Sequence, residues 1–211
     1  MKIVLLGGSG YVGKGIIQEL SSYDDMELVS MSRHGGTEED KKRWPKVSWK
    51  SVDLGRPETW QEEVADADWV VDLIGVLFAK NYNEYYKKTV EPVMSVIKFV
   101  EEKVKDTKFL FVSANYAPLG MGAYMKAKLV LEDELKKRLG TRAVFVYPGL
   151  IYHKERPFVY VIAIALNNLT KIKPLTRLVE RLRPIARARF AVEIRNILLN
   201  NNSYLMHRTK R

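Results

Sequence analysis

Glycines near the amino end of the chain have the spacing of a phosphate-binding turn. The segment Gly7-Gly8-Ser9-Gly10-Tyr11-Val12-Gly13 contains both G-x-G-x-x-G and G-x-x-G-x-x-G, between a short apolar run and a helical pattern. In that setting the backbone can approach a pyrophosphate closely, and the N–H groups of the helix point at it. The pattern predicts a dinucleotide site that includes Gly7, Ser9, Gly10, Tyr11, Val12 and Gly13. A purely structural glycine turn is the alternative.

The residues after the second apolar run favour NADP over NAD. An acidic side chain about 20 residues beyond the turn would accept a hydrogen bond from the ribose of NAD, but this sequence has Ser32 and Arg33 there. Arg33 can pair with the 2′-phosphate of NADP, or it is an ordinary loop cation. After the third run, Asp53 and Leu54 are placed to contact the adenine, unless Asp53 only caps the turn that follows.

A tyrosine and a lysine four residues apart are the candidates for proton transfer. Tyr124 and Lys128 lie in a predicted helix that follows the fifth apolar run, and Ser113 ends that run. Four residues on a helix place both side chains on one face. We expect the Lys128 ammonium to lower the pKa of Tyr124 towards neutrality, so that Tyr124 relays a proton while Ser113 holds the substrate oxygen. The alternative is an exposed Tyr and Lys on a charged helix.

Short apolar runs alternate with helical patterns along the first three quarters of the chain. The predicted strands are Lys2–Leu6, Glu27–Met31, Val47–Leu54, Trp69–Ile74, Lys108–Ser113 and Thr141–Tyr147. The predicted helices are Gly13–Ser22, Pro57–Ala65, Asn83–Val104 and Gly122–Leu139. Residues 34–46 are polar and marked by Gly and Pro, which predicts a surface loop.

This alternation predicts an α/β fold, a Rossmann doubly wound parallel sheet with helices on both faces. We expect residues 1–152 to form the NAD(P)-binding core. Residues 153–211 are expected to form a short, basic, mainly helical cap that completes the same domain at the carboxyl edge of the sheet.

Composition excludes several kinds of function. The chain has 211 residues and no cysteine, so it has no disulfide, thiolate metal site or cysteine nucleophile, and we expect no metal site. The longest apolar run, Phe158 to Leu166, is too short to span a bilayer. No signal or transit segment is visible, which favours a cytoplasmic protein.

The net charge of +10 comes entirely from residues 154–211, which hold 13 Lys and Arg against 3 Glu. Within them, the arginines at 177, 181, 183 and 187 predict a short basic amphipathic helix interrupted at Pro184. Residues 171–189 are therefore either a solvated helix face or a contact with an anionic membrane or a partner complex. We expect no sequence-specific nucleic acid, because basic residues do not alternate with aromatic ones.

Taken together, these residues resemble the short-chain dehydrogenase/reductase superfamily, in its atypical and extended NAD(P)-binding branches. The resemblance rests on the glycine turn, on Val52-Asp53-Leu54, on Ser113-Ala114-Asn115 with Tyr124 and Lys128, and on Tyr147-Pro148-Gly149. It covers residues 1–152. It implies catalytic roles for Ser113, Tyr124 and Lys128, a contact of Lys128 with the nicotinamide ribose, and a nicotinamide side lined by Pro148, Gly149 and Ile151.

A narrower resemblance is carried by residues 29–33, by Ile74-Gly75-Val76-Leu77 and by the helix from Tyr124 to Glu132. These are similar to the subgroup that holds the ubiquinone-biosynthesis accessory reductase-like protein and the NADPH-binding accessory subunit of respiratory complex I. That subgroup implies coenzyme contacts at Ile74, Gly75 and Val76, and a mitochondrial location as an alternative. Some of its members bind the nucleotide without demonstrated turnover.

Two hypotheses of function follow. The first is an NADP-preferring oxidoreductase that moves hydride between nicotinamide and a carbonyl or hydroxyl carbon of a small-molecule substrate. Tyr152, His153, Phe158 and Tyr160 would form a bulky, partly apolar wall suited to a hydrophobic substrate, or belong to the core. A sugar-nucleotide epimerase is a weaker hypothesis, because the segment after the sixth strand is short. The second hypothesis is a non-catalytic, nucleotide-binding accessory or assembly protein.

Overall fold

Six parallel strands form the central sheet. A computed structural model describes residues 1–76, 79–117, 120–169 and 179–209. The strands of the sheet are β1 (Lys2–Leu6), β2 (Glu27–Ser32), β3 (Ser48–Ser51), β4 (Trp69–Asp72), β5 (Lys108–Val112) and β6 (Ala143–Val146). Their order is β3-β2-β1-β4-β5-β6, with every neighbouring pair parallel. This is the order of a doubly wound dinucleotide-binding sheet, so the predicted fold class is confirmed.

Helices cover both faces of the sheet. They are α1 (Tyr11–Leu20), α2 (Glu38–Arg43), α3 (Gln61–Ala65), α4 (Tyr82–Tyr85), α5 (Glu91–Lys103), α6 (Gly122–Leu139), α7 (Pro157–Leu169) and α8 (Arg187–Leu198). Residues 179–182 are also helical. Two short parallel strands, β7 (Ile151–Tyr152) and β8 (Ile185–Ala186), pair outside the main sheet. No helix among the described ranges has the length and apolar composition needed to cross a membrane.

The side chains of each strand alternate between two cores. Val4 and Leu6 belong to the core under α5 and α6, while Ile3 and Leu5 belong to the core under α1 and α8. All four are fully buried. The carboxyl ends of β1, β4 and β5 therefore meet at one edge, with α1 and α6 beginning beside them.

The prediction of a loop over residues 34–46 is wrong, because α2 lies within it. Thr37 Oγ1 accepts a hydrogen bond from the Asp40 N–H, and the Asp40 carboxylate accepts one from the Thr37 N–H, which is a capping box. Asp40 is buried and pairs with Lys14 of α1 at 2.7 Å. The capping box and the ion pair with Lys14 thus stabilise α2, although the polar composition of residues 34–46 favours a loop.

The predicted helix Asn83–Val104 is helical along most of its length but not uniform. Between α4 and α5, Tyr86–Val90 form a π-helical segment. Pro92, in the first turn of α5, lacks the N–H that a continuous α-helix would use there.

The predicted position of the C-terminal cap is partly wrong. It is mainly helical, as expected, and α7 lies at the carboxyl edge. However, α8 packs on a face of the sheet, with Phe190 and Ile194 in the same core as α1. The apolar residues of α8 lie on one helix face, which needs a sheet face to cover it. Helix α1 alone leaves part of that face of the sheet uncovered, and α8 packs there.

Candidate functional site

The glycine turn leaves the amino end of α1 open to an anion. Gly7 has a φ of +84°, and a Cβ on Gly13 would lie 2.3 Å from the carbonyl oxygen of Gly8, so neither position accepts a larger residue without a shift. Gly10 is the N-cap of α1, with no side-chain cap and no acidic residue in the first turn. The first N–H groups of α1 therefore have no competing carboxylate, and the turn fits a pyrophosphate.

The predicted adenosine side is partly occupied by internal contacts. Ser9 Oγ donates a hydrogen bond to Ser32 Oγ at 2.8 Å, and Ser32 Oγ donates to the Gly35 carbonyl at 3.0 Å. Both serines are thereby held beside the turn. Arg33 is exposed, and its guanidinium makes no hydrogen bond or ion pair with the described residues. Of Ser9, Ser32 and Arg33, only Arg33 carries a charge, and that charge is exposed to solvent beside the turn.

At the end of β3, the structure favours the alternative interpretation of Asp53. Asp53 Oδ1 accepts a hydrogen bond from the Gly55 N–H at 2.9 Å, and its carbonyl accepts one from Thr59 Oγ1. The residue therefore caps the turn, although its side chain is exposed. Leu54 is 9% exposed and belongs to the core under α5. Little of Leu54 is left to flank an adenine.

A cavity of about 520 Å³ joins the turn to the predicted catalytic residues. Ten of the predicted site residues line it: Tyr11, Val12, Gly75, Val76, Ser113, Tyr124, Lys128, Pro148, Gly149 and Ile151. The remaining ones do not: Gly7, Ser9, Gly10, Gly13, Ser32, Arg33, Asp53, Leu54 and Ile74. The cavity therefore corresponds to the nicotinamide and substrate half of the predicted site, and most residues predicted to contact the phosphates and the adenosine lie outside its lining. Leu77 lies outside the described residues.

The predicted aromatic wall does not line the cavity. Tyr152, His153, Phe158 and Tyr160 are absent from its lining, and Phe158 is 78% exposed. The wall is formed by Val159, Ile162 and Leu166 of α7 together with Leu182. For Phe158 this follows from the phase of α7, because Phe158 lies about 100° around the helix axis from Val159.

Tyr124 lies in the cavity as a neutral phenol. Burial, with a smaller contribution from Tyr85, raises the pKa of Tyr124 to about 12. The ring of Tyr85 lies edge-on to that of Tyr124, with 6.0 Å between centroids. The prediction that Lys128 lowers this pKa is wrong for this structure, since the ammonium is directed elsewhere.

Lys128 is held by main-chain carbonyls at the ends of two strands. Its Nζ donates hydrogen bonds to the Val112 carbonyl at 2.9 Å and to the Ile74 carbonyl at 3.3 Å. The side chain is buried, and burial lowers the pKa of Lys128, while Asp72 and Glu132 oppose that change. Lys128 therefore joins β5 to the segment after β4, both of which contribute to the cavity.

Ser113 is hydrogen-bonded to a charge pair behind the cavity, of which the carboxylate is fully buried and the guanidinium partly exposed. Its hydroxyl donates a hydrogen bond to Glu132 Oε1, and the guanidinium of Arg208 donates to both carboxylate oxygens of Glu132. The Glu132 side chain has no solvent exposure. We refer to Ser113, Lys128, Glu132 and Arg208 as the Glu132 cluster. Because the Ser113 hydroxyl donates its hydrogen bond to Glu132, its oxygen presents lone pairs to the cavity.

Asp72, the last residue of β4, adds a second buried carboxyl group. Asp72 Oδ1 accepts a hydrogen bond from the Ile74 N–H at 2.8 Å, while Oδ2 is buried without a partner among the described residues. Burial raises the pKa of Asp72 to about 7, against the opposing effect of Lys128. Burial thus disfavours the charged forms of both Asp72 and Lys128. Its effect on each pKa is larger than that of the electrostatic attraction between the two groups.

Two arginines contact the ring of Tyr11 at the start of α1. The guanidinium of Arg156 lies 4.1 Å from the ring centroid and lines the cavity, and that of Arg187 lies 4.9 Å away. Arg187 is neutralised by a two-pronged pair with Glu155, whereas no carboxylate among the described residues pairs with Arg156. The Tyr11 hydroxyl is buried without a partner in the described part of the chain. Arg156 therefore brings an uncompensated charge to the amino end of α1.

The predicted basic patch over residues 171–189 is reduced by the fold. Arg183 donates to the main-chain carbonyls of Tyr147 and His207, and Arg187 is 5% exposed. Both guanidinium groups are engaged within the fold, since Arg183 donates to main-chain carbonyls and Arg187 donates to Glu155 and to the Tyr11 carbonyl. Arg181 is exposed. Arg177 lies outside the described residues.

Sequence reasoning missed four residues of the site: Asp72, Glu132, Arg156 and Arg208. Glu132 had a signal, since it follows Lys128 by four residues and therefore shares its helix face. An acidic residue ending an apolar strand was the corresponding signal for Asp72. Arg156 and Arg208 are brought to the site by the C-terminal region, and local spacing contains no sign of that.

Comparisons with known proteins agree with this fold. A short-chain dehydrogenase/reductase structure from Saccharomyces cerevisiae aligns over 96% of this chain and 92% of its own, with a TM-score of 0.67 and 16% identity. The fold is that of the short-chain dehydrogenases/reductases. The predicted resemblance is confirmed at that level, and no protein-family model matches the chain.

Two further similarities cover less of the chain. UDP-glucuronic acid 4-epimerase from Bacillus cereus, solved in complex with NAD, aligns over 72% of this chain with a TM-score of 0.60 and 16% identity. This chain spans 58% of the length of that epimerase. Among curated proteins, MIOREX complex component 2 of Saccharomyces cerevisiae is 24% identical over 74% of each chain.

Proposed function

We propose that this protein is an NADP-preferring reductase that acts on an apolar carbonyl compound. The observation that carries the proposal is the continuous cavity between the amino end of α1 and the side chains of Ser113, Tyr124 and Lys128. A phosphate cradle and a proton donor that share one cavity provide what a hydride transfer between coenzyme and carbonyl needs. The fold of the similar structures supports a nicotinamide coenzyme in general.

The turn and Arg156 would hold the diphosphate of the coenzyme. The N–H groups of α1 would donate hydrogen bonds to it, and Arg156, which precedes α7 and has no carboxylate partner among the described residues, would add a positive charge. Pro148, Gly149 and Ile151 would line the nicotinamide, which supplies the hydride when bound. Arg33 would pair with the 2′-phosphate, and this pairing is the basis of the proposed NADP preference.

Tyr124 would supply the proton to the substrate oxygen. A phenol whose pKa is raised to about 12 is protonated at neutral pH and able to donate. Ser113 offers lone pairs rather than a proton, because its hydroxyl hydrogen is used on Glu132. Tyr124 is therefore the donor, and Ser113 is suited to accept a hydrogen bond from the alcohol that forms.

The lining of the cavity indicates the substrate class. The lining of the cavity that holds Tyr124 includes the apolar residues Leu73, Val112, Val159, Ile162 and Leu166. Acidic residues are absent from this lining, so nothing in it would compensate a cationic substrate. We infer a hydrophobic ketone, aldehyde or quinone-like carbonyl.

A thermal-shift titration followed by an activity assay tests the proposal. NADPH should raise the melting temperature more than NADH, because a ligand that binds only the folded chain stabilises it. Arg33→Ala should remove that difference. NADPH oxidation with a panel of apolar carbonyl compounds should fall about 10²- to 10⁴-fold in Tyr124→Phe, while coenzyme binding stays. Tyr86→Phe, an exposed tyrosine outside the cavity, is the control. No thermal shift with either coenzyme would refute the proposal.

A second candidate function is a nucleotide-binding component of a larger assembly that performs no turnover. Two observations favour it: Lys128 is engaged by carbonyls, and Ser113 by Glu132, so neither is directed at Tyr124. The similarity to a protein named as a MIOREX complex component is consistent with association. Stabilisation by NADPH with no oxidation of any carbonyl in the panel would favour this candidate over the reductase.

A further inference from the structure

Lys128 is the only lysine among the described residues that line the cavity, and it has the surroundings of a buried amine. Its side chain is 4% exposed, and Nζ lies 4.7 Å from the ring centroid of Phe111. No carboxylate in the described part of the chain forms an ion pair with it, and Asp72 and Glu132 act on it only by charge at longer range. A lysine that is removed from water in this way is the kind that reacts with carbonyl groups.

The hydrogen bonds of Lys128 Nζ leave one of its three bonding positions unused. An ammonium group has three N–H donors, whereas a neutral amine has two and a lone pair. Nζ donates to the carbonyls of Val112 and Ile74, and it has no third acceptor among the residues that the structure describes. Loss of one proton therefore costs Lys128 no hydrogen bond. Burial, which lowers the pKa of Lys128, favours this loss, and the charges of Asp72 and Glu132 oppose it.

Gly75 leaves the nitrogen of Lys128 accessible. Both residues line the cavity, and a Cβ on Gly75 would lie 3.1 Å from Lys128 Nζ. Gly75 does not have a left-handed φ, so its backbone conformation is open to other residues. The absence of a side chain at this position keeps one approach to the nitrogen free.

We propose that Lys128 captures apolar aldehydes as an imine, in a reaction that needs no coenzyme. Nζ first releases one proton to solvent, and its lone pair then forms a bond to the carbonyl carbon. One N–H proton and the phenol proton of Tyr124, which lines the same cavity, leave with the carbonyl oxygen as water. A C=N bond thereby replaces the C=O bond. The product is a protonated imine that keeps one N–H for a main-chain carbonyl, and solvent returns a proton to Tyr124.

The lining of the cavity selects the class of aldehyde. Around Lys128 it includes Leu73, Val76 and Val112, and no acidic residue occurs in its described part. An aldehyde with a hydrocarbon chain is therefore suited to this space. This activity goes beyond the proposed reductase, because the carbonyl is captured by an amine and no hydride is transferred.

Reductive trapping with the full chain, in the absence of coenzyme, tests the proposal. The protein is mixed with hexanal and sodium cyanoborohydride, which reduces an imine to a stable amine, and the modified lysines are located by peptide mass spectrometry. An ordinary solvated lysine carries its proton at neutral pH and reacts slowly. We therefore expect the label on Lys128 to exceed that on the exposed Lys126 and Lys154 at least about tenfold.

Two glycine variants show whether the aldehyde reaches the amine from the cavity. Gly75→Ala keeps Lys128 but places a Cβ 3.1 Å from its nitrogen, so the label on Lys128 should fall at least about threefold. Gly122→Ala is the matched control, because its added Cβ meets nothing within 4 Å, and it should be labelled like the unmodified chain. Melting temperatures check that both variants fold, and the labelling of the unmodified chain does not depend on them.

Three outcomes would overturn the proposal. The first is the absence of a label on Lys128 in the unmodified chain. The second is a label on Lys128 no heavier than that on Lys126. The third is equal labelling of Lys128 in Gly75→Ala and in the unmodified chain, which would mean that the amine is not reached past Gly75. None of these results changes the thermal shift with NADPH, so the proposed function stands or falls separately.

Discussion

The glycine turn and the Glu132 cluster lie at two ends of one cavity, but they are built in different ways. The turn uses consecutive residues and acts through backbone N–H groups and the absence of Cβ atoms. The cluster draws Ser113, Lys128, Glu132 and Arg208 from distant parts of the chain and acts through buried charges. A backbone site depends on space, whereas a charged side-chain site depends on every partner being present.

This difference has an energetic consequence. Crowding at Gly13 would be against backbone atoms of Gly8, so the chain has to shift, but no charge loses its partner. Removing one member of the cluster leaves another charge buried without compensation. Substitutions should therefore have larger effects on stability at the rear of the cavity than at the turn.

The largest effect is expected for Glu132→Ala. It leaves the partly exposed Arg208 without its carboxylate and Ser113 without its acceptor, and should lower the free energy of unfolding by about 2–4 kcal/mol, measured by urea denaturation. Glu134→Ala on the same helix breaks a partly exposed pair with Arg138 and should cost about 0–1 kcal/mol. Equal losses in the two variants would show that the cluster is not a compensated buried unit.

The next effect is a pH dependence that originates at Asp72. Its pKa is raised from 3.8 to about 7 in the folded chain, so the folded state retains a proton that the unfolded state has lost. The stability that this group contributes is full below about pH 4 and is lost as the pH rises to about 7.

The comparison with Asp72→Asn isolates this contribution. Over that pH range, the unfolding free energy of the unmodified chain should fall relative to that of the variant, by at most about 1.4 kcal/mol per pH unit. Denaturation curves at several pH values measure it. A constant difference between the two proteins would mean that Asp72 is not the titrating group.

In the turn, Gly13→Ala should have a moderate effect. The added Cβ would meet the Gly8 carbonyl, so the chain has to shift, and we expect a loss of about 1–3 kcal/mol together with a reduced thermal shift on adding NADPH. Gly122→Ala is the matched control, because nothing lies within 4 Å of its added Cβ. That variant should be neutral or slightly more stable. If both behave alike, the turn is looser than the structure indicates.

The smallest effect is expected for Arg156→Ala, which tests whether a side chain assists the backbone cradle. Because Arg156 is exposed, its loss should raise the Kd for NADPH roughly three- to fivefold, measured by fluorescence titration. Lys154→Ala, an exposed cation two residues away that does not line the cavity, should leave the Kd unchanged. An unchanged Kd in Arg156→Ala would leave the diphosphate to the turn alone.

Much of the fold could be predicted from the sequence. All six strands of the main sheet and α6 occur where the apolar pattern indicates them, with ends shifted by a few residues. The capping box at Thr37 was missed because composition was given more weight than the T-x-x-D spacing. The glycine turn was found because its requirements are all local.

The site was predictable only in its residue types. Tyr124, Lys128 and Ser113 do line one cavity, yet their hydrogen bonds and the direction of the Tyr124 pKa differ from the expectation. Helical periodicity places Lys128 and Tyr124 on the same face of α6. It does not show that Lys128 Nζ donates its hydrogen bond to the Val112 carbonyl and not to Tyr124.

The sequence by itself determined the sheet, its helical layers and the glycine turn, because periodicity and glycine spacing act over a few neighbouring residues. Only the tertiary structure decided that Arg208 pairs with Glu132, that Arg187 is internal, and that α7 exposes Phe158. Burial and charge compensation depend on residues that are distant in the chain and meet only when it folds.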